Sequence, residues 1–273
     1  MVRCALVIVG LLGFVCHAHS AEVAIVAQRD ASIFGAPGYD QVADGAGPYL
    51  WTSVTAAGVA RRALLSFDLS PIPAGAQIQQ VRLSLFLSRA QDLDPLVQLH
   101  RLDAAWTEGP TNGGSQGHGA PAVTGDVTWV RRSHPSLSWS QAGGDFDPTP
   151  SAAVNLGFPG EAYTWGPTPR MLADLQGWLA NPASNHGWIL IGVEANSQNA
   201  KRFESRDSSP TLRPMLLVSY LPAATADDGD IPLPGWALGV LGVSVAIGLT
   251  RRSKRSTTVR TDASRGSDDM DVT

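Results

Sequence analysis

Tryptophan supplies the most informative chemistry in this sequence, since the chain contains eight of them. A flat aromatic face stacks on the apolar face of a sugar ring, and polar groups around its edge fix the orientation. Trp178 and Trp188 lie in patterns typical of a hydrophobic core, and Trp236 lies in an apolar C-terminal segment. Four are less clearly committed to packing: Trp51, Trp129, Trp139 and Trp165. We take Trp51, Trp139 and Trp165 as candidate sugar-stacking residues; Trp139 lies in the serine-rich stretch 136–140 and could be exposed.

Arginine is the natural partner of an acidic sugar, because its guanidinium binds a carboxylate through two parallel hydrogen bonds. The basic residues that occur in pairs or clusters are Arg61, Arg62, Arg131, Arg132, Lys201, Arg202 and Arg206. The candidate ligand-binding residues among them are Arg61, Arg131, Arg202 and Arg206. The alternative is that each pair straddles a strand, with one residue solvated and the other paired with an acid.

Residues 113–117 match the G-x-S-x-G motif of serine hydrolases. This motif has a mechanism only on a tight turn between a buried strand and a helix. Thr111 and Asn112 precede it and Gly119 to Pro121 follow, a composition typical of a loop. We therefore interpret residues 113–117 as a flexible loop.

Other catalytic arrangements have little support. Glycoside hydrolysis needs two acids across a cleft, and Glu108 is the first acid to examine, but the sequence supplies no second. We expect Trp106 to pack and Glu108 to fix a loop. The histidines lack the close spacing of a zinc site, and His100 alternates with apolar residues on a predicted strand, which indicates a structural role. A polysaccharide lyase or hydrolase is accordingly the less favoured alternative to a non-catalytic protein.

Structural calcium is the one cofactor that the sequence suggests. Asp145 and Asp147 follow two glycines, and calcium takes its oxygen ligands from loop carboxylates and carbonyls. The spacing fits no EF-hand, and an aspartate in a loop commonly caps a turn. Both interpretations stay open.

Composition narrows the class of protein. The chain has 273 residues, of which 44% are hydrophobic and 16% charged, so a largely disordered chain is excluded. Its 28 glycines and 19 prolines interrupt helices and favour short strands. The net charge of -4 lacks the excess of positive charge that is typical of nucleic-acid-binding proteins.

The N-terminus predicts export. Arg3 is followed by an uncharged apolar run over residues 5–15 and by small residues up to Ala21, the order of a signal peptide. We assign residues 1–21 to this leader. Cys4 and Cys16 both lie within it, so the mature chain would contain no disulfide.

The C-terminus predicts a membrane segment. An acidic linker over residues 223–230 precedes the uncharged residues 231–250, which at about 1.5 Å each would span about 30 Å, the thickness of a hydrocarbon core. A basic cluster follows and a polar tail continues to residue 273, so residues 251–273 would be cytoplasmic and the preceding domain external. The motif IPLPGW with its apolar run and basic stop resembles the PEP-CTERM and IPTL-CTERM sorting signals, which implies cleavage and release; simple anchoring is the alternative.

Strand-like patterns fill the interval between these ends. Residues 81–87 alternate strictly, and the other predicted strands are 49–54, 63–67, 97–102, 127–130 and 215–220. The continuous apolar run 188–193 predicts a central strand covered on both faces. One helix is predicted after Thr168, with Pro169 at its first position and an end at Asn181. The pattern predicts an antiparallel β-sandwich over residues 22–222 with one short helix.

Five blocks in this domain resemble the DNRLRE-domain family in its order. They are RRALLSFDLSPIPAGAQIQQVRLSLFL from Arg61, VQLHRLDAAWTEG from Val97, VTW from Val127, WLANPASNHGWILIG from Trp178 and KRFESRDSSPTLRPMLLVSY from Lys201. The resemblance implies a jelly-roll-like β-sandwich of secreted bacterial proteins related to carbohydrate-binding modules, some of which bind acidic polysaccharides such as alginate. The expected function is polysaccharide binding; a structural or adhesive envelope protein that binds other proteins is the alternative.

Overall fold

The computed structural model describes residues 20–91, 95–196 and 198–223. The predicted leader up to residue 19, the linker from residue 224, the apolar segment 231–250 and the tail 251–273 lie outside the described residues. Within the described part of the chain, no helix is long and apolar enough to cross a membrane.

The described residues form a mostly antiparallel β fold with one α-helix. The first eight strands are β1 (Ala21–Val26), β2 (Arg29–Gly35), β3 (Val42–Ala43), β4 (Tyr49–Val54), β5 (Ala60–Ser66), β6 (Gln77–Ala90), β7 (Leu96–Arg101) and β8 (Ala120–Pro121). The remaining strands are β9 (Arg131–Ser133), β10 (Leu137–Ser138), β11 (Ala152–Asn155), β12 (Glu161–Trp165), β13 (Trp188–Gly192), β14 (Lys201–Glu204) and β15 (Met215–Leu221). Helix α1 spans Pro169–Ala180, and a 3-10 turn follows at Pro182–Ser184.

Eleven of these strands make one curled sheet. Its order is β1-β15-β6-β14-β4-β5-β13-β7-β11, with β12 also paired to β6 and β2 to β5. Strand β4 joins the two halves, since residues 49–52 pair with β14 whereas Ser53 and Val54 pair with β5. Ser53 has φ of 67°, an uncommon conformation for a residue with a side chain, and the strand changes partner there.

The main core lies between the two halves of the curled sheet. Leu85 and Phe203 from one half enter the same apolar cluster as Leu65, Leu99 and Trp188 from the other. Because side chains from both halves fill one interior, the halves face each other as two layers. This arrangement confirms the prediction of a mainly antiparallel β fold.

A second apolar cluster covers the outer face of the β2, β5 and β13 region. Ile33, Leu64 and Ile189 meet Trp106 and Trp139, which come from the long segment between β7 and β11. Strand β13 therefore has both faces buried and lies between β5 and β7, which confirms the prediction of a covered central strand.

Helix α1 follows the sequence prediction closely. The Thr168 hydroxyl accepts the Met171 N–H at 3.1 Å, and Pro169 occupies the first turn, where its missing N–H costs nothing. The buried side of the helix packs Trp178 on Trp188, with ring centroids 4.5 Å apart. Both tryptophans are core residues, as predicted.

The strand predicted at residues 127–130 is wrong. This segment forms a turn instead, because the Thr128 N–H bonds to the Arg131 carbonyl at 2.8 Å and the Arg131 N–H bonds back to the Thr128 hydroxyl. Val127 is fully buried in the second cluster, so its apolar character reflects packing in a loop. The predictions at 49–54, 63–67, 81–87, 97–102 and 215–220 coincide with β4, β5, β6, β7 and β15 to within a few residues, although β6 extends well beyond 81–87.

Candidate ligand-binding site

Arg61 is the most unusual charged residue among the predicted candidates. It lies on β5 and is only 4% exposed. Its guanidinium carbon is 4.7 Å from the centroid of the Trp51 ring and 5.9 Å from that of Phe34. Its Nε has no hydrogen-bond partner, and no carboxylate in the described part of the chain forms an ion pair with it. Burial lowers the pKa of Arg61 to about 10, so the side chain is still charged at neutral pH.

Arg202 approaches the same Trp51 ring from the neighbouring strand. Its Cα is paired with that of Trp51 on β4 and with that of Arg89 on β6. The Arg202 guanidinium lies 4.0 Å from the Tyr49 ring centroid and 5.9 Å from that of Trp51. Its Nε donates to the Ser88 hydroxyl at 3.0 Å, which fixes its position. The sheet therefore brings three arginines, Arg61, Arg89 and Arg202, around one tryptophan.

The loop at residues 113–117 covers the Trp51 ring. Gly117 has φ of 66° and lies so close that a Cβ there would be 2.5 Å from the indole. At the other end of the loop, the Gly113 N–H donates to Asp44 Oδ1 at 2.8 Å. Residues 114–117 form a turn that is followed by the two-residue strand β8 at Ala120 and not by a helix, so the G-x-S-x-G pattern does not lie on a turn from a buried strand into a helix. Trp51 is consequently 4% exposed and offers no open face to solvent.

A cavity of about 130 Å³ opens beside Arg61 and Trp51. Its lining residues are Trp51, Thr55, Ala56, Arg61, Arg89, Gln91, Gln116 and Ala200. At about 30 Å³ per water, this is room for about four waters or for one carboxylate group. Two guanidinium groups and two carboxamides surround the space, and such donors bind a carboxylate well. The cavity is chemically suited to the acidic group of a larger ligand.

Asp44 is the carboxylate whose charge acts on Arg61, and it is 2% exposed. Burial raises the pKa of Asp44 from 3.8 to about 6, although hydrogen bonds from the Gly113 and Gly47 N–H groups and the charge of Arg61 oppose the rise. Its Oδ2 has no hydrogen-bond partner among the described residues. Asp44 therefore moderates the field at Arg61 without forming an ion pair with it.

Comparisons with known proteins add no relative. No family model matches this chain, and no curated protein matches it. The assignment of the site therefore depends on its geometry. That geometry brings together three of the seven predicted ligand-binding residues: Trp51, Arg61 and Arg202.

Trp139 and Trp165 lie elsewhere, and each is buried. Trp165 is fully buried in the main core, where its Nε1 donates to the Val97 carbonyl at 3.0 Å. Trp139 is 5% exposed in the second cluster, and its Nε1 donates to the Thr128 carbonyl at 3.0 Å. The interpretation of Trp139 as an exposed loop residue is wrong, because the loop folds back and its indole finds both apolar contacts and an acceptor. Neither ring has a face available for a sugar.

Arg131 and Arg206 are also separate from the cavity. Arg131 bonds to the Ser138 hydroxyl across the β9–β10 pair, and both groups are near the surface. Arg206 makes a two-pronged ion pair with Glu108, with Nε–Oε1 at 2.7 Å. Glu108 Oε1 also accepts the Asp30 N–H at 2.8 Å, so this acid fixes a loop as predicted.

The pairing alternative is half correct for Arg61 and Arg62, because Arg62 is paired with an acid but Arg61 is buried and not solvated. Its guanidinium binds both carboxylate oxygens of Glu194 at 2.7 Å. It also stacks on Trp129, with 4.7 Å between the guanidinium carbon and the ring centroid. Arg61 and Arg62 are therefore neighbours in sequence with different environments: Arg62 has a partner acid, and Arg61 has none among the residues that the structure describes.

The carboxylates of Asp145 and Asp147 each accept hydrogen bonds from backbone N–H groups. Asp145 accepts the Ser140 and Gln141 N–H groups, each at 2.9 Å, which makes it a turn cap. Asp147 accepts the Thr149 N–H and pairs with Arg170 at 2.5 Å. Over residues 20–91, 95–196 and 198–223, no group of three or more potential metal-ligating side chains is found. Structural calcium stays a prediction without a ligand set in this part of the chain.

Six of the eight residues that line the cavity were absent from the sequence predictions, among them the polar residues Arg89, Gln91 and Gln116. Arg89 lies near the end of β6, and Gln116 lies in the loop that covers Trp51. Arg89 belongs to no motif, and Gln116 belongs to the G-x-S-x-G pattern, which we interpreted only as a loop; each reaches the site through contacts distant in sequence. The only sequence signal for Arg89 was its position just after the alternating residues 81–87. That position indicated an exposed strand end and no binding role.

Proposed function

We propose that this protein is a non-catalytic binding module for an acidic polysaccharide. The observation that carries the proposal is Arg61, a buried guanidinium that has no ion pair with any residue the structure describes and that lines a polar cavity beside Trp51. An unpaired buried charge is costly to a fold, so its retention at a cavity favours a role in which an external anion completes the pair.

The ligand chemistry follows from the donors around the cavity. Arg61 and Arg89 can form charge-assisted hydrogen bonds to a carboxylate, and Gln91 and Gln116 can bond to neighbouring hydroxyl groups. The space admits one acidic group, while the rest of a chain would lie outside it. A uronic acid polymer has this combination of carboxylates and hydroxyls.

The wider setting of the proposal comes from the sequence. The resemblance to the DNRLRE-domain family supports a jelly-roll-like sandwich and a carbohydrate ligand. The predicted leader 1–21 and the apolar segment 231–250 support export and attachment to the outer face of the cell envelope, before any cleavage at the sorting segment. In this proposal the module retains polysaccharide at the cell surface.

Affinity electrophoresis tests the proposal. The full chain, purified in mild detergent, is run in native gels that contain alginate, pectin or a neutral glycan. We expect retardation by alginate or pectin and none by the neutral glycan. Equal migration in all gels would overturn the proposal, and so would retardation by the neutral glycan alone.

A matched pair of variants locates the binding. Arg61→Met removes the charge in the cavity, whereas Arg131→Met removes the same charge from the β9–β10 surface. We expect Arg61→Met to abolish retardation and Arg131→Met to migrate like the wild type. Loss of retardation in both variants would indicate a general effect of net charge and would count against the cavity.

A further inference from the structure

Phe158 is the most exposed large apolar side chain in the described part of the protein, with 82% of its surface accessible. It lies in the turn between β11 and β12. Single exposed apolar residues are common on protein surfaces and need no explanation by themselves. Phe158 differs because its turn is held firmly and adjoins a cavity.

Hydrogen bonds fix the backbone on both sides of Phe158. The Tyr163 hydroxyl accepts the Gly157 N–H at 2.9 Å and lies 2.9 Å from the Phe158 carbonyl. The Gly160 N–H donates to the Leu87 carbonyl at 2.7 Å, which ties the turn to β6. The backbone that carries the exposed phenyl ring is thus ordered, so less backbone entropy would be lost on ligand binding than at a loop without these bonds.

The cavity beside Phe158 has a volume of about 380 Å³. Its lining residues are Ala90, Gln91, Pro95, Leu156, Gly157, Phe158 and Lys201. Gln91 also lines the Arg61 cavity, so the two spaces are neighbours. The Gln91 backbone is anchored between them, because its N–H donates to the Ala200 carbonyl and its carbonyl accepts the Lys201 ammonium at 2.7 Å.

The strand geometry sets the separation of the two spaces. The turn that carries Phe158 meets β6 at Leu87, and Arg89 lies two residues further along the same strand. At about 3.3 Å per residue, these backbone positions are about 7 Å apart along β6. A linear sugar chain that places a carboxylate near Arg89 would therefore reach the Phe158 side of Gln91 within a few sugar units.

We propose that Phe158 is the stacking platform of a second subsite, which takes another sugar unit of the acidic polysaccharide bound at Arg61. This inference rests on the proposed function and adds to it that the protein recognises an extended segment of chain. The apolar face of the sugar ring would stack on the phenyl ring, as sugar rings do on exposed aromatic residues. Recognition would then depend on ligand length.

Isothermal titration calorimetry with oligosaccharides of defined length tests the second subsite. The full chain in mild detergent is titrated with a uronic acid disaccharide and with a hexasaccharide. We expect Phe158→Ala to weaken binding of the hexasaccharide about fivefold to tenfold, the range of one aromatic stacking contact, and to leave the disaccharide unchanged. Phe158→Tyr should restore hexasaccharide binding. Val123→Ala, which shortens an exposed apolar side chain away from both cavities, is the matched control and should bind like the wild type.

The outcomes separate the two proposals. Wild-type hexasaccharide affinity in Phe158→Ala, together with weakened binding in Arg61→Met, would overturn the second subsite and leave the proposed function intact. Unchanged binding in Arg61→Met would overturn the proposed function, and the second subsite with it. Equal weakening of both oligosaccharides in Phe158→Ala would also refute a subsite reserved for longer chains.

Discussion

Substitution of Arg61 by methionine should make the folded protein more stable while it abolishes binding of acidic polysaccharide. Methionine keeps an unbranched apolar side chain against Trp51 and Phe34, but it removes the buried charge. Because the guanidinium has no ion pair among the described residues, the fold loses no salt bridge. Replacement of a buried charge by a well-packed apolar side chain is often stabilising.

The size of this effect follows from the pKa of Arg61. Burial lowers that pKa from 12.5 to about 10. One pKa unit corresponds to about 1.4 kcal/mol, so the folded state carries a penalty of roughly 3 kcal/mol for the charged side chain. Loss of the contact between the guanidinium and the aromatic rings costs about 1 to 2 kcal/mol. We therefore expect a net gain of about 1 to 2 kcal/mol in the free energy of unfolding.

Urea unfolding of the wild type and the variant measures this gain, and pH 5 is the best condition. At that pH most of Asp44 is protonated, since its pKa is about 6. At pH 7 the ionised Asp44 would lose the nearby positive charge of Arg61, so the gain should be smaller. Arg131→Met should change stability by less than about 0.5 kcal/mol, as surface substitutions usually do. A variant at pH 5 that is less stable than the wild type by more than about 1 kcal/mol would refute the reasoning.

Two further substitutions probe the groups around the site. Burial raises the pKa of Asp44 from 3.8 to about 6, so its stability contribution is present below about pH 4 and is lost as the pH rises through 6. Between pH 4 and pH 7 the wild type should lose about 2 to 2.5 kcal/mol of unfolding free energy through Asp44, and urea unfolding curves of Asp44→Asn should lack this loss; identical pH dependence in both proteins would contradict this. Glu108→Ala should lower stability by about 2 to 4 kcal/mol because it leaves the Asp30 N–H and Arg206 without their acceptor, and Glu108→Gln should cost less. An equal loss in both Glu108 variants would show that the charge of Glu108, and not its role as an acceptor, is the important property.

Local patterns predicted much of the β fold correctly. Strict alternation identified β6, because one face of that strand enters the main core. The capping residue Thr168 and the following Pro169 identified the start of α1, since both act within the first turn. In each case the physical cause lies within a few residues of the pattern it produces.

The failures arise where distant segments decide the outcome. Trp139 has the neighbours of an exposed loop residue, yet the segment folds back and buries it in the second cluster. Trp51 lies on β4 and is covered by Gly117, a residue far away in the chain. The change of partner strand at Ser53 has no local signal either, because Ser53 differs little from any other serine in a strand. Burial by a remote loop cannot be read from periodicity.

The buried indoles themselves distinguish the site from the rest of the fold. Trp106, Trp139, Trp165 and Trp188 each donate the indole N–H to an acceptor in the protein. Trp51 differs from these four, because its fully enclosed Nε1 has no partner in the described residues and lies beside Arg61, whose Nε is also unpartnered there. Folding alone favours an acceptor for each buried donor, as Trp106, Trp139, Trp165 and Trp188 have. The unpartnered buried donors at Trp51 and Arg61 make this corner of the sheet costly to fold, and that cost is the physical premise of the proposed ligand site.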